Sequence, residues 1–319
     1  MRRYIFRRIL LLIPTLFLVS FIVFGSIRLI PGDIVELMVA EQGYAEDIAE
    51  LRELLGLNKP LLTQYLEYMK NVFTGDMGIS LWSGEPVIEE ITRRFPISIT
   101  LAVLALIWTI IVGVTFGIVS ALAQDTWLDY LIRVYAIGWL SIPGFWVATM
   151  VVVFSSLWFS WVPPMDYVPF FTDPIGNLTQ LLAPSLVLSL ALSAGIMRMT
   201  RTMMLEVLRE DYIRTATAKG LSGWVVVVRH ALKNAMIPVV TIMGLQLAFL
   251  FGGTIIMEYI FVLPGMGSYM LDAITWRDYP VIQGVVFFVA GALMTINLIV
   301  DLLYGFLDPK NHKANQQSN

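Results

Sequence analysis

The chain has 319 residues, of which 57% are hydrophobic and only 14% charged, with a formal net charge of -3 and a mean hydropathy of +0.75. That balance excludes an ordinary soluble globular protein and places the chain in a bilayer. There is no cysteine and the only histidines are His230 and His312, which excludes disulfides, thiolate nucleophiles and cysteine zinc sites and leaves no expectation of a metal centre.

A spanning helix needs about 20 mostly apolar residues, because the hydrocarbon core is roughly 30 Å thick. Residues 9–27 form the first such stretch. Arg2, Arg3, Arg7 and Arg8 precede it as in a signal peptide, but the apolar run is too long and no small-residue cleavage site follows, so it reads as a true span. The segment 31–96 then carries five basic residues, Arg52, Lys59, Lys70, Arg93 and Arg94, against twelve acidic ones between Asp33 and Glu90, and is expected outside the cytoplasm. Within it, 45–55 places Ile48, Leu51, Leu54 and Leu55 on one helical face before Gly56. A second amphipathic helix after Pro60 carries Leu62, Tyr65, Leu66, Met69 and Phe73. Turns are expected at Gly75-Asp76 and Gly84-Glu85-Pro86. This segment reads either as a cap over the helix ends or as a receiver of substrate.

Five further spans are expected at 97–123, 134–162, 175–197, 236–257 and 281–300, with Trp127, Tyr130, Trp158, Trp161 and Tyr304 as interfacial anchors. Arg198, Arg201, Arg209, Arg214, Lys219, Arg229 and Lys233 collect between the fourth and fifth spans, so that segment is expected to be cytoplasmic, as are both termini. The turn 124–133, with Asp125 and Asp129 against one arginine, is placed inside by alternation alone. The spans lack the mid-membrane charges or histidine on which ion-coupled carriers depend. Arg28, Glu258 and Asp301 are read at span ends, where charge can meet water. There is no Gly-rich phosphate loop ending in Gly-Lys-Ser/Thr, so uphill transport would draw its energy from a partner.

The cytoplasmic loop 199–237 is the natural place for that partner. Its pattern predicts a helix over 206–218, a tight turn at Gly220 and Ser222, and a second helical stretch over 224–235 that stops at Pro238. From the pattern alone it is either a docking element or a basic loop that only fixes orientation. Here the residues carry a resemblance. Asp211-Tyr212-Ile213-Arg214-Thr215-Ala216-Thr217-Ala218-Lys219-Gly220-Leu221, followed by His230-Ala231-Leu232-Lys233-Asn234-Ala235-Met236-Ile237-Pro238, resembles the coupling loop of dipeptide and oligopeptide ABC-transporter permeases. Arg214 and Thr215 stand where the general importer form has Glu and Ala, as in the peptide subfamily. Ile30-Pro31-Gly32-Asp33, Leu55 to Pro60 with Gln64-Tyr65, and Gly75 to Ser80 resemble the outer segment of the B-type permease. So do Glu258 with Phe261, Pro264 to Gly267, Arg277 to Pro280, and Asp301 to Tyr304 with Asp308-Pro309.

The resemblance implies an all-α integral membrane protein of six transmembrane helices. It would be a type I ABC importer transmembrane domain spanning 1–319, with an external helical segment after the first span. It implies a heterodimer with a C-type permease, two cytoplasmic ATPase subunits that bind the ATP, and an extracytoplasmic substrate-binding protein, in contact with membrane lipid and not with nucleic acid. No cofactor or catalytic residue is implied in this chain. Asp211, Tyr212, Thr215, Ala216, Lys219, Gly220 and Leu221 are implied to couple to the ATPase, Ala216 as a small residue against its surface. Di- or oligopeptides are the expected cargo, with oligosaccharides, nickel chelates or glutathione as alternatives, and no substrate-contact residue is assigned. The alternative of another class is a channel or secondary carrier that works without ATPases.

Overall fold

The structure is a computed structural model that describes residues 2–29, 52–53 and 56–307, with side chains described over 10–29, 52–53 and 56–300 apart from 245, 247, 248 and 251. Of the helix expected over 45–55 only Arg52 and Glu53 are described, both helical, while the stretch Ile30 to Asp33, the side chain of Asp301 and the tail from 308 lie outside the described residues. In chain order the helices are α1 (Arg2–Leu29), α2 (Leu61–Phe73), α3 (Val87–Leu122), α4 (Trp127–Ser141), α5 (Gly144–Phe159), α6 (Pro174–Leu208), α7 (Asp211–Ala218), α8 (Gly223–Val225), a π-helical stretch Val226–Leu232, α9 (Lys233–Ile260), α10 (Met266–Thr275) and α11 (Tyr279–Leu307).

Among the described residues five stretches are long and apolar enough to cross a bilayer, within α1, α3, α6, α11 and the run that leads from Gly223 into α9. The expected third span, 134–162, is not one helix. α4 and α5 meet at 94°, and only together do they qualify as a sixth crossing. The break follows from Pro143, whose ring pushes the preceding residue out of the helical region. Ile142 is accordingly extended at φ -95 and ψ 126, and Pro143 itself sits at φ -62 and ψ 128. A continuous apolar run hides such a break, because hydropathy reports burial in lipid and not backbone direction.

The chain divides into two compact units, Met1–Pro96 with Gly265–Thr295, and Ile97–Pro264 with Ile296–Asn319. In the first, α2 lies along α1. Arg28 Nη2 donates to Gln64 Oε1 at 2.6 Å, the Tyr65 ring meets Phe21 and Phe24, and Phe73 meets Phe17. Of the apolar stripe expected on α2, Met69 is buried while Leu62, Leu66 and Phe73 stay exposed. Two stretches far apart in sequence, 75–80 and 277–280, meet in this unit. Ser80 Oγ donates to Asp278 Oδ2 at 2.6 Å, Trp82 Nε1 donates to the Trp276 carbonyl at 2.8 Å, and the two indoles meet at 5.0 Å with their planes tilted by 50°. Burial raises the Asp278 carboxyl above the ordinary carboxylate value, against the opposing hydrogen bonds from Ser80 and backbone N–H groups. Burial and the nearby Asp278 raise the Tyr269 phenol to about 12.

In the second unit α6 packs on α4, α5 and α9. It starts from Asp173, whose carboxylate accepts the Gly176 N–H at 3.0 Å, with Pro174 in the first turn. A Cβ on Gly113 would lie 2.8 Å from the Ile196 side chain, and one on Gly117 would lie 2.5 Å from Thr200. Gly113 and Gly117, four residues apart, therefore let α3 approach α6 closely, as small residues do in membranes. Gly253 does the same for α9 against Leu188, at 2.6 Å. These glycines bring helices together.

Two acids in this unit differ from the sequence reading. Glu258, expected to meet water at a span end, is 0% exposed and accepts from Ser98 Oγ at 2.6 Å. Asp129, the residue that counted against an inside turn, is also 0% exposed and forms a two-pronged ion pair with Arg201, whose Nε and Nη2 donate at 2.8 and 2.7 Å. Its charge is cancelled by Arg201, about two turns before the end of α6, so it adds no net charge to the turn 124–133.

Candidate functional site

The expected 206–218 helix is broken. α6 ends at Leu208, and the backbone turns through Arg209 and Glu210 before α7 begins at Asp211. One face of α7 is closed inward. Ile213 and Ala216 join Ala121, Met204, Val226, Ala231 and Ala235 in a buried cluster that ties α7 to α3, α6 and α9. At the other edge Tyr212 is held by Asn234, whose Nδ2 donates to the phenol oxygen at 2.7 Å.

The end of α7 is a complete glycine stop. The Gly220 N–H donates to the Thr217 carbonyl at 2.9 Å and the Leu221 N–H to the Ala216 carbonyl at 3.4 Å, with Gly220 at φ +79. This is the bonding pattern of a Schellman cap, in which only a residue without a Cβ sits easily in the left-handed region. Ser222 starts the return, Val226 N–H donates to the Ser222 carbonyl at 3.0 Å, and the chain widens into a π-helical stretch before α9. Pro238 does not begin a span as expected. It lies inside α9, so the helix runs without a stop from the loop into the membrane.

Of the seven residues assigned to this site, Asp211, Tyr212, Thr215, Lys219, Gly220 and Leu221 are exposed. Asp211 and Arg214 pair at 3.2 Å on that open face, which contributes little in water. Ala216 is different. At 7% exposed it packs against the chain's own core, so its size is limited from within. Trp224, to which the sequence pattern assigns no role, is the most open aromatic of the loop at 76% exposed, and Val228 is exposed as well. The signal was a lone tryptophan directly after the Ser222-Gly223 break.

A multi-pass helical membrane protein with a folded loop between two spans that is open on one face has the make-up of a transport subunit. The chain belongs to the binding-protein-dependent transport system inner membrane components, matching that family's model over residues 113–313 and its N-terminal counterpart over 1–102. It is 44% identical to the dipeptide transport system permease protein DppB of Alkalihalophilus pseudofirmus, across 97% of this chain and 99% of that one. It is 38% identical to a peptide transport system permease protein of Brucella suis and 39% identical to the glutathione transport system permease protein GsiC of Escherichia coli K12, in each case across 97% of this chain and 98% of the other. The fold is shared with the MetNI methionine ABC transporter, at a TM-score of 0.55 and 15% identity over 68% of this chain and 96% of that chain. The protein is thus a multi-pass inner-membrane permease subunit of a binding-protein-dependent ABC importer, working with ATPase and substrate-binding partners and carrying no ATPase site of its own.

Proposed function

We propose that the chain is the B-type half of a permease heterodimer that imports di- or oligopeptides, and that its loop 199–237 receives the motion of the ATPase subunits, which bind all the nucleotide. The observation that carries the reading is the construction of that loop. Its outer face presents Tyr212, Leu221 and Trp224, while its inner face is packed into the ends of α3, α6 and α9. A push on the outer face is therefore delivered to α6, on which α9 and α3 both pack, as a rigid element must do to pass work between sites. The names of the relatives support peptides as cargo, and glutathione is itself a small peptide.

The test is uptake in vesicles holding the whole transporter. Uptake of a labelled dipeptide is expected to require ATP and to be competed by unlabelled dipeptides. Uptake driven by a proton or sodium gradient without nucleotide would overturn the reading. A cysteine at Trp224 is expected to cross-link to an ATPase subunit, and one at Ala216 to remain unreactive in the folded complex.

The proposed orientation places 199–237 and both termini in the cytoplasm and 31–96 outside, on the distribution of Lys and Arg. α6 alone tests it. Its 35 residues span about 52 Å, longer than the hydrocarbon core of roughly 30 Å, so its two ends emerge on opposite faces. In intact cells an impermeant thiol reagent is expected to label Phe171→Cys and to spare Arg209→Cys. The reverse pattern would invert the topology.

A further inference from the structure

Between α4 and α6, wholly inside the second unit, lies a cavity of about 280 Å³ that the transport reading does not use. Arg133, Arg198 and Arg201 line one part of it, Ile137, Leu140 and Met197 another, and among the described residues no acidic side chain lines it. Arg201 commits Nε and Nη2 to Asp129, leaving Nη1 outside that pair. Among the described residues no ion pair engages Arg133 or Arg198, and Arg133 rests over the Tyr130 ring at 5.4 Å.

The order along the helices matters. Arg133, Ile137 and Leu140 follow one face of α4 at helical spacing, running from the 123–126 turn toward the interior of the bilayer. α6 runs the other way and reaches Arg198 and Arg201 as it leaves its apolar stretch. The cavity is therefore cationic at the membrane boundary and apolar below it, and Ile137 and Leu140 are themselves exposed.

We propose that this cavity binds an anionic phospholipid from the leaflet at the Arg209 end of α6, with the headgroup phosphate between Arg133 and Arg198 and an acyl chain along Ile137 and Leu140. The charge fits a phosphodiester and the apolar floor fits a chain, and basic pockets between spanning helices are where such headgroups are held. The site does not depend on which cargo the transporter carries or on which side the termini lie.

The experiment is native mass spectrometry of the purified, assembled transporter given equal amounts of phosphatidylglycerol and phosphatidylcholine. Phosphatidylglycerol is expected to be retained preferentially, and Arg133→Gln and Arg198→Gln each to lower that preference about fivefold. Arg133→Lys with Arg198→Lys is expected to preserve it. Glycerol phosphate, the same charge without chains, is expected not to displace the lipid. A variant carrying both Arg133→Gln and Arg198→Gln that kept the parent's preference for phosphatidylglycerol would overturn the proposal. So would displacement by glycerol phosphate, which would show a site for free anions, and so would a cross-link from Ile137→Cys to the second permease subunit, which would show the groove covered by protein.

Discussion

Gly220→Val is expected to lower both substrate-stimulated ATP hydrolysis and uptake about tenfold while leaving membrane insertion and expression unchanged. No spanning segment is touched, and a Cβ at Gly220 would meet nothing within 4 Å, so the effect does not come from a clash. It comes from φ +79, where a side chain costs about 1–2 kcal/mol and a β-branched one most of all. Relieving that strain turns the backbone between α7 and α8, and with it Leu221 and Trp224, away from the face offered to the ATPase. A displacement worth about 1.4 kcal/mol is a factor of ten in any step that depends on the docked geometry. Two controls isolate the cause. Gly220→Asn should retain most activity, since Asn tolerates the left-handed region, and Gly223→Ala should be neutral, as it has neither a positive φ nor a neighbour within 4 Å. If Gly220→Val transports like the parent, the loop fixes orientation only and the coupling proposal falls. Ala216→Arg is not an equivalent probe, because the arginine would enter the chain's own buried cluster and unfold the loop.

Asp129→Ala is expected to be the most destabilising single change in the second unit, costing about 3–5 kcal/mol. Removing the carboxylate leaves the Arg201 guanidinium without its partner in a setting where its side chain is 19% exposed. It also strands Ser120 Oγ, fully buried and 2.5 Å from Asp129 Oδ1, and the backbone N–H of Asp125. The readout is the thermal midpoint of the detergent-purified transporter, which should fall clearly below the parent's. The paired change Asp129→Leu with Arg201→Met should recover the part of the loss that comes from the unpaired guanidinium, while Ser120 Oγ and the Asp125 N–H still lack their acceptor. A midpoint for Asp129→Ala equal to the parent's would mean that water reaches Arg201 and that the pair holds nothing together.

Much of the architecture was legible in the chain. Spans show in sequence because lipid imposes one requirement on every residue of a crossing helix, so a simple count of apolar residues finds it. α2 was legible from Pro60 and the apolar spacing after it, and the turns at Gly75 and Gly84 from their residue types, with φ +84 and +72 as found. Gly220 was legible for the same reason, since a left-handed stop needs a particular residue and announces itself. The break at Pro143 was available in principle and was masked by the apolar residues on both sides.

What the sequence determined by itself, then, is whatever each residue's own chemistry dictates locally: membrane residence, the approximate spans, the basic loop, the turn glycines and the family motif. The tertiary structure decided which distant residues meet. Ser80 finds Asp278 across 198 positions, Ser98 finds Glu258 across 160, and Asp129 finds Arg201 across 72. It also decided which face of a local element is closed, turning Ala216 inward and Trp224 outward on the same loop. The physical reason is that burial of a polar group depends on a partner delivered by another helix, and nothing in a residue's immediate neighbours in sequence specifies which helix that will be.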